Sequence, residues 1–250
     1  MREAVERGEL SSALDLAVAY WARRRSPMVA ASIERLGLLV DQDQQPPAGK
    51  TPKIRHAAWL AAAESPSPSA VGPLLASLRD GHLDEVEARI ETMIGWQPDP
   101  RVARAMLLLS KDHMLGARRR LWKALYDALL HHADPRVAEA VRERHERLQD
   151  ARVLHRHVAE GRELRRVFEA FIAAVEADHE LTSDQAEHAE AIAERLAARV
   201  DQQSSDSDIE RSLVEAIVAA WDDDGPRLVY SDWLQSRKDA RGEFIALDIA

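Results

Sequence analysis

The chain has 250 residues, of which 46% are hydrophobic, only 5% are aromatic and none is cysteine. This composition provides material for a core, and the absence of cysteine excludes disulfides, thiolate metal sites and a cysteine nucleophile. The net charge of −9 is uneven, because residues 1–160 carry +2 and residues 161–250 carry −11, and an acidic segment repels the phosphates of nucleic acids.

Helix-forming residues dominate the sequence, with few residues that would interrupt a helix. Ala, Leu, Val, Arg and Glu are abundant, whereas Gly and Pro number 10 and 11. Except for Val, these abundant residues lose little on entering a helix, so we expect an all-α fold. The N-terminal residues lack the apolar segment of a signal peptide, and no apolar run approaches the roughly 20 residues that cross a bilayer. We therefore expect a cytoplasmic protein without a membrane span.

An internal repeat organises residues 1–150. The pentapeptide DPRVA occurs at 99–103 and again at 134–138. An Asp or Ser before Pro favours a helix start, because the side chain caps exposed N–H groups and proline fits the first turn. We predict four helix pairs, at about 9–40, 51–79, 82–110 and 115–148, separated from one another by short turns or, at 41–52, by a longer loop.

Two amphipathic helices cannot bury both of their apolar faces alone, so stacked neighbouring pairs would form a short α-solenoid over residues 1–150. The DPRVA turns resemble those of HEAT-type repeats, and the resemblance covers about 140 residues. It implies an architecture of stacked helix pairs and does not identify a ligand.

Residues 151–201 are predicted to form connecting helices. Six apolar residues there fall on one helical face, and they are Leu164, Val167, Phe168, Phe171, Ile172 and Val175. Thr182 and Gln185 have the spacing of a capping box that opens a helix ending near Val200. The polar segment 202–206 is then the predicted linker and domain boundary.

Residues 207–250 are predicted to form a helical C-terminal module. Ser207 and Glu210 have the spacing of a second capping box. It begins a helix whose apolar face is predicted from helical spacing, and the residues of this face are Leu213, Ile217, Val218 and Trp221.

Two motifs follow, DDDGPRLVYSDWL at 222–234 and RGEFIAL at 241–247. Over about 40 residues this stretch resembles the bacterial repeat-companion domain. The sequence departs from the family pattern at Lys238, Ala240 and Asp248, where Gly, Pro and Gln are usual, so the turn between the helices is expected to be less tight. The resemblance implies an accessory module of a multi-part protein, with no established enzymatic activity.

Three features of this module have both a structural and a binding interpretation. The acids 222–224 could hold a divalent cation, but at a helix junction such acids more often cap the next helix, and we favour the cap. Asp223 is also a candidate partner-binding residue. Tyr230 and Asp232 are candidates for a recognition surface. Trp233 is expected in the core with Leu228, Val229 and Leu234. Arg227, Asp232 and Glu243 could instead pair within the module.

The histidines do not have the spacing of a metal site. A zinc-binding helix needs histidines four positions apart with a third ligand, whereas the visible groups are His131 with His132, His155 with His157, and the lone His179. No phosphate-binding loop or nucleophile elbow is evident. We therefore predict no metal, no cofactor, no catalytic residue and no enzymatic activity.

Two arginine runs, at 23–25 and 118–120, occupy similar positions in the predicted pairs. Arg23, Arg24, Arg118 and Arg119 could line a groove for nucleic acid or an acidic partner. Consecutive arginines spread around a helix, however, so a solvated face is the favoured interpretation. A third alternative is internal contact with the acidic C-terminal third.

The sequence therefore predicts a non-catalytic helical-repeat scaffold that mediates protein–protein interaction. Regulation or inhibition of an effector protein is one form of that role, with release by cleavage in the linker at 202–207. The alternative is nucleic-acid binding by arginine-lined faces of the solenoid. The candidate binding residues are the four arginines together with Asp223, Tyr230 and Asp232.

Overall fold

The computed structural model describes residues 1–41, 44–112, 115–150, 157–177, 181–220 and 223–249. Over these ranges every regular element is helical, which confirms the expected all-α class. None of these helices combines the length and apolar character needed to cross a lipid bilayer. The chain divides into two compact units, unit 1 (Met1–Leu196) and unit 2 (Ala197–Ala250).

The helices in chain order are α1 (Arg2–Arg7), α2 (Leu10–Trp21), α3 (Pro27–Val40), α4 (Pro52–Ala63), α5 (Pro68–Ala76), α6 (Leu83–Met93), α7 (Pro100–Leu109), α8 (Arg119–His131), α9 (Ala138–Arg147), α10 (Val158–Glu176), α11 (Ser183–Ala219), α12 (Asp224–Ser236) and α13 (Ala240–Ile249), and a single 3-10 turn at Pro135–Val137 precedes α9.

The four predicted helix pairs correspond to α2 with α3, α4 with α5, α6 with α7, and α8 with α9. Their expected caps form at only some of the helix starts. Asp99 accepts a hydrogen bond from a backbone N–H group of the helix that it precedes, as predicted. Thr51, which was not among the predicted caps, does the same for α4. Ser26 and Ser67 make no such bond, so the predicted serine caps are wrong. Proline in the first turn marks these two helix starts instead, because its missing N–H would have no helical partner.

Unit 1 contains two hydrophobic clusters. The larger extends from Trp59 to Val175 and involves the second, third and fourth pairs together with α10. The other combines α1, α2 and α3 with Ile192 and Leu196 of α11. The helices α4, α6, α8 and α10 pack against one another in succession, whereas α3 packs against both α5 and α7. The helix pairs are thus present, and their arrangement as a solenoid stays a prediction.

The two DPRVA motifs form identical caps. Asp99 accepts a hydrogen bond of 2.9 Å from the backbone N–H of Arg101, and its carboxylate binds the Arg101 guanidinium through Nε at 3.1 Å and Nη2 at 2.7 Å. Asp134 binds Arg136 in the same way, at 3.0 Å, 3.2 Å and 2.7 Å. A two-point contact of this kind fixes both direction and distance, so each motif sets the start of its second helix firmly.

The segment after the fourth pair follows the prediction in part. The predicted apolar face of α10 is confirmed, since Leu164, Val167, Phe171 and Val175 are buried and Phe168 and Ile172 pack against the core. Thr182 and Gln185 form the predicted capping box.

The predicted end of that helix near Val200 is wrong, because α11 continues to Ala219. Residues 202–206, predicted as a linker, are helical, and the predicted capping box of Ser207 and Glu210 lies inside the helix. No Gly or Pro interrupts this stretch, and a hydrogen bond of 3.0 Å between Gln202 and Asp206, four positions apart, supports the helix.

Unit 2 contains a helical hairpin in which α12 and α13 pack closely at Gly242. A Cβ atom at Gly242 would lie 2.7 Å from the carbonyl oxygen of Ser231 and 2.8 Å from the backbone nitrogen of Gln235. The Gly242 carbonyl accepts hydrogen bonds from the Ser231 hydroxyl at 2.7 Å and the Gln235 amide at 3.3 Å. Only glycine permits this approach, which explains the Gly of the RGEFIAL motif.

We predict that Gly242→Ala destabilises the hairpin by about 1–3 kcal/mol, because the new methyl group meets backbone atoms that cannot move separately from their helix. Faster hydrogen exchange of the α12 and α13 amides measures the loss. Gly95→Ala is the control, since its Cβ would lie 3.5 Å from the nearest atom. Equal effects of the two substitutions would contradict the close packing.

The turn between α12 and α13 has a left-handed residue. The N–H of Lys238 donates to Gln235 and that of Asp239 donates to Leu234, the pattern of a Schellman motif. Lys238 has a φ of 59°, which explains why glycine is usual here in the family that the sequence resembles. The turn is therefore formed, at the cost of a strained lysine.

We predict that Lys238→Gly stabilises the hairpin by about 1 kcal/mol, because glycine adopts positive φ without a steric penalty. Hydrogen exchange in α12 and α13 should slow, while exchange in α6 and α7 should be unchanged. Faster exchange in the hairpin would show that the turn is not strained.

Candidate functional site

Two of the three arginines in the run at 118–120 form ion pairs within unit 1, and Arg120 is exposed. Arg118 pairs with Asp84. Arg119 donates from Nε to Glu163 Oε1 at 3.0 Å, and the Glu163 side chain is only 1% exposed. Glu163 belongs to the acidic residues 161–250, so the predicted internal contact is confirmed for Arg119. Neither arginine is left as an unopposed positive charge for phosphates.

The run at 23–25 lies at the other end of α8. Arg25 donates from Nη1 to the carbonyl of Ala133 and from Nη2 to that of His131, both at 3.0 Å. It thereby caps the C-terminal end of α8, while Arg23 and Arg24 have exposed side chains. A helix of 13 residues is about 20 Å long. The two arginine runs are therefore separated by that length and do not form one patch.

The candidate residues of unit 2 have three different environments. Asp223 accepts a hydrogen bond of 2.9 Å from the Gly225 N–H and caps α12, as predicted. Tyr230 is only 9% exposed, and its hydroxyl donates to Glu210 at 2.7 Å. Asp232 is exposed. Asp223 is therefore used as a helix cap and Tyr230 belongs to the interior of unit 2. Among these three residues, Asp232 is the one whose side chain is exposed within a helix. Asp222, predicted as part of the same acidic group, lies outside the described residues.

The predicted burial of the α12 face is correct only in part. Leu234 is buried, and Trp233 is half-buried, stacked on Tyr230 with ring centroids 6.0 Å apart. Leu228 and Val229, which were expected beside them, are exposed. Arg227 pairs with Asp224, whereas the suggested pairing of Arg227 with Asp232 and Glu243 does not occur among the ion pairs of the described residues.

The apolar face predicted for residues 207–221 is likewise incomplete. Leu213 and Ile217 are half-buried and Val218 is exposed, while Trp221 lies outside the described residues.

Exposed apolar side chains are concentrated in unit 2. Twelve large apolar residues are exposed in the described ranges, and seven of them belong to unit 2, namely Ile209, Val214, Val218, Leu228, Val229, Phe244 and Leu247. Phe244 is 73% exposed and Leu247 is 78% exposed. A concentration of exposed apolar side chains is a feature of interaction sites when those side chains form a patch. We refer to Leu228, Val229, Phe244 and Leu247 as the exposed hairpin residues.

Sequence reasoning missed Phe244 and Leu247, although helical spacing contains a signal for them. Gly242 faces α12, so positions three, four and seven residues later lie on the inner side of α13. These are Ile245, Ala246 and Ile249, and all three are half-buried. Phe244 and Leu247 fall between them and face outward.

A polar cavity of about 740 Å³ in unit 1 is lined by residues of α7, α8, α9 and α10. At its base the Glu160 carboxylate is fully buried. It accepts hydrogen bonds from the Tyr126 hydroxyl at 3.1 Å and from Arg144 at 2.6 Å and 2.8 Å, with His157 Nδ1 also 3.1 Å away. Burial and the Glu160 charge hold the pKa of Tyr126 well above its usual range. This network is internally satisfied and links three helices, which is a structural role.

Two of the histidines make contacts inside unit 1. His131 contacts the Trp96 carbonyl through Nε2 at 2.8 Å, and the His145 ring stacks on Phe168. His155 and His179 lie outside the described residues. Among the residues described, no group of three or more His, Asp and Glu side chains could hold a metal ion.

His132 is fully buried between two backbone groups. Its Nδ1 accepts from the Asp99 N–H at 3.0 Å and its Nε2 contacts the Met93 carbonyl at 2.9 Å. This pattern requires the neutral ring with the proton on Nε2. Burial lowers the pKa of His132 to about 4.

No family model, no curated protein and no solved structure matches the chain. The resemblances to HEAT-type repeats and to the repeat-companion domain therefore stay predictions, and the chain's own geometry is the basis for its function.

We predict that acid destabilises the protein partly through His132. The unfolded state has the higher histidine pKa, near 6.5, so it binds more protons and is stabilised relative to the native state as the pH falls from 6.5 to 4. The native state should lose up to about 3 kcal/mol of stability over that interval. His132→Asn, whose Oδ1 can still accept from Asp99, should flatten the curve of unfolding free energy against pH. Parallel curves for the two proteins would contradict the assignment.

Proposed function

We propose that the chain is a non-catalytic helical-repeat scaffold that mediates protein–protein interaction through the exposed hairpin residues of unit 2. The observation that carries this proposal is the concentration of exposed apolar side chains in that unit. Leaving a Phe and three aliphatic side chains in water forgoes roughly 1.5–3 kcal/mol for each, which a partner surface would recover. The short turn between α12 and α13 puts Leu228 and Leu247, both distant from it, toward the same end of the hairpin.

For residues 1–150 we propose the HEAT-like solenoid arrangement as the scaffold. The succession of contacts among α4, α6, α8 and α10 supports it. The contacts of α3 with both α5 and α7 mean that the first pair would be packed across the following pairs rather than only beside its neighbour. The repeat-companion assignment of unit 2 and a cytoplasmic location are parts of the same proposal.

Regulation or inhibition of an effector protein fits this role. Release of the effector by cleavage at 202–207 is not part of this proposal. The cleavage hypothesis required a linker there, but the segment is helical, and proteases prefer exposed, irregular loops. We therefore propose regulation through reversible binding instead.

Nucleic-acid binding by arginine-lined faces is the alternative, and it has less support. Arg118 and Arg119 are paired with acids. The two arginine runs also lie at opposite ends of α8. Binding to duplex or single strands that weakens steeply with salt would favour this alternative over the scaffold.

We predict that the double substitution Phe244→Ser with Leu247→Ser abolishes partner binding without unfolding the chain. Both side chains are more than 70% exposed, so each change should alter stability by no more than about 0.5 kcal/mol. Quantitative affinity capture with cross-linking compares the proteins bound by the wild type and the variant.

Leu108→Ser is the matched control, because Leu108 is 58% exposed but lies in unit 1. A partner should be captured by the wild type and by Leu108→Ser, and lost with the double variant. Identical captured proteins for all three would exclude the hairpin as the interaction surface.

A further inference from the structure

The exposed hairpin residues are accompanied by acids that have no counterion within the described part of the chain. Asp232, Glu243 and Asp248 are exposed, and none of them forms an ion pair with the residues that the structure describes. Asp232 lies four positions after Leu228, and Asp248 lies four positions after Phe244. Residues at this spacing are neighbours on a helix surface, so apolar and negative groups alternate on the same faces.

The three arginines of the hairpin already form ion pairs with acids other than Asp232, Glu243 and Asp248. Arg227 pairs with Asp224, Arg237 with Asp206, and Arg241 with both Asp239 and Glu210. Arg241 binds Asp239 with the same two-point geometry as the DPRVA motifs, through Nε at 3.1 Å and Nη2 at 2.7 Å. The remaining base of the hairpin, Lys238, is exposed in the turn between α12 and α13. Residues 197–250 contain twelve acids and six bases, so unit 2 has an excess of negative charge.

We propose that the surface formed by the exposed hairpin residues with Asp232, Glu243 and Asp248 binds a basic amphipathic helix of another protein. This inference rests on the proposed function and names the partner's chemistry. An amphipathic helix inserts apolar side chains at positions i, i+3, i+4 and i+7. Lys or Arg beside those positions would meet the three acids and complete their charge pairs.

Other occupants fit this surface less well. A symmetric contact between two copies of the chain would bring two copies of this acidic surface together, and the like charges would oppose association. Anionic lipid surfaces and nucleic acids would be repelled by the same groups. A basic helix alone matches both the apolar side chains and the unbalanced charge.

The test uses the full chain and two labelled 18-residue helical peptides, one of Leu and Lys and one of Leu and Glu with the same spacing. Fluorescence anisotropy at low and high salt should show binding of the Leu–Lys peptide, weakened by salt. The Leu–Glu peptide should not bind. The triple variant Asp232→Asn, Glu243→Gln, Asp248→Asn should weaken Leu–Lys binding about tenfold and reduce its salt dependence.

The control triple variant Asp15→Asn, Glu64→Gln, Glu91→Gln removes the same charge from exposed positions of unit 1. It should change Leu–Lys binding less than about twofold. Equal weakening by both triple variants would mean that the peptide senses only net charge, which would overturn the proposed site.

The remaining outcomes separate this inference from the proposed function. Failure of the Leu–Lys peptide to bind, or equal binding of the Leu–Glu peptide, overturns the basic-helix inference; capture that depends on Phe244 and Leu247 would still support the interaction surface. Self-association in sedimentation that is lost in Phe244→Ser with Leu247→Ser would assign the surface to a second copy. Binding to phosphatidylglycerol vesicles through the same residues would assign it to a membrane. Either result overturns the inference.

Discussion

The two-point contact between an aspartate and the arginine two positions later is the interaction on which the other features depend. The Asp caps the helix while its Arg, held in one orientation, uses Nη2 to reach another element. Arg101 donates to the Pro68 carbonyl at 2.6 Å, and Arg136 donates to Glu34 at 3.0 Å. Asp99 and Asp134 are almost completely buried, and a buried carboxylate without its partner would be strongly destabilising. Each contact therefore joins a local helix start to the tertiary packing around it.

Local signals in the sequence identify these contacts only where proline accompanies them. The two DPRVA motifs were recognisable because Pro follows Asp, whereas Asp239-Ala240-Arg241 forms the same geometry without proline. Helix α11 shows the opposite case, in which a local capping signal is present in the sequence but no helix starts there. Ser207 and Glu210 have the spacing of a cap, but the preceding residues contain no breaker, so the helix continues and the cap never forms. Spacing alone cannot distinguish a helix start from a favourable pair inside a longer helix.

The candidate surface could be predicted less completely than the fold, because residue type is a poor guide to orientation. Tyr230 and Trp233 are of the types that dominate binding hot spots, yet they stack on each other and Tyr230 is held by Glu210. Phe244 and Leu247 have the usual character of core residues, yet they face solvent. The close approach of α12 at Gly242 decides which side of α13 is buried. This approach is a tertiary contact, so it cannot be predicted from local sequence patterns.

The composition of unit 2 connects its stability to its proposed partner. Tyr230, Ser231, Leu234 and Gly242 are the buried residues among those described there, so the hairpin is held mainly by hydrogen bonds and by ion pairs with α11. Surface ion pairs contribute little each, and a small apolar interior leaves a structure marginal. A partner that covers the exposed hairpin residues would add the missing apolar burial and stabilise the hairpin by mass action. Exposed apolar surface and a small core are thus one property of unit 2, and the partner proposed above would compensate for both by covering that surface.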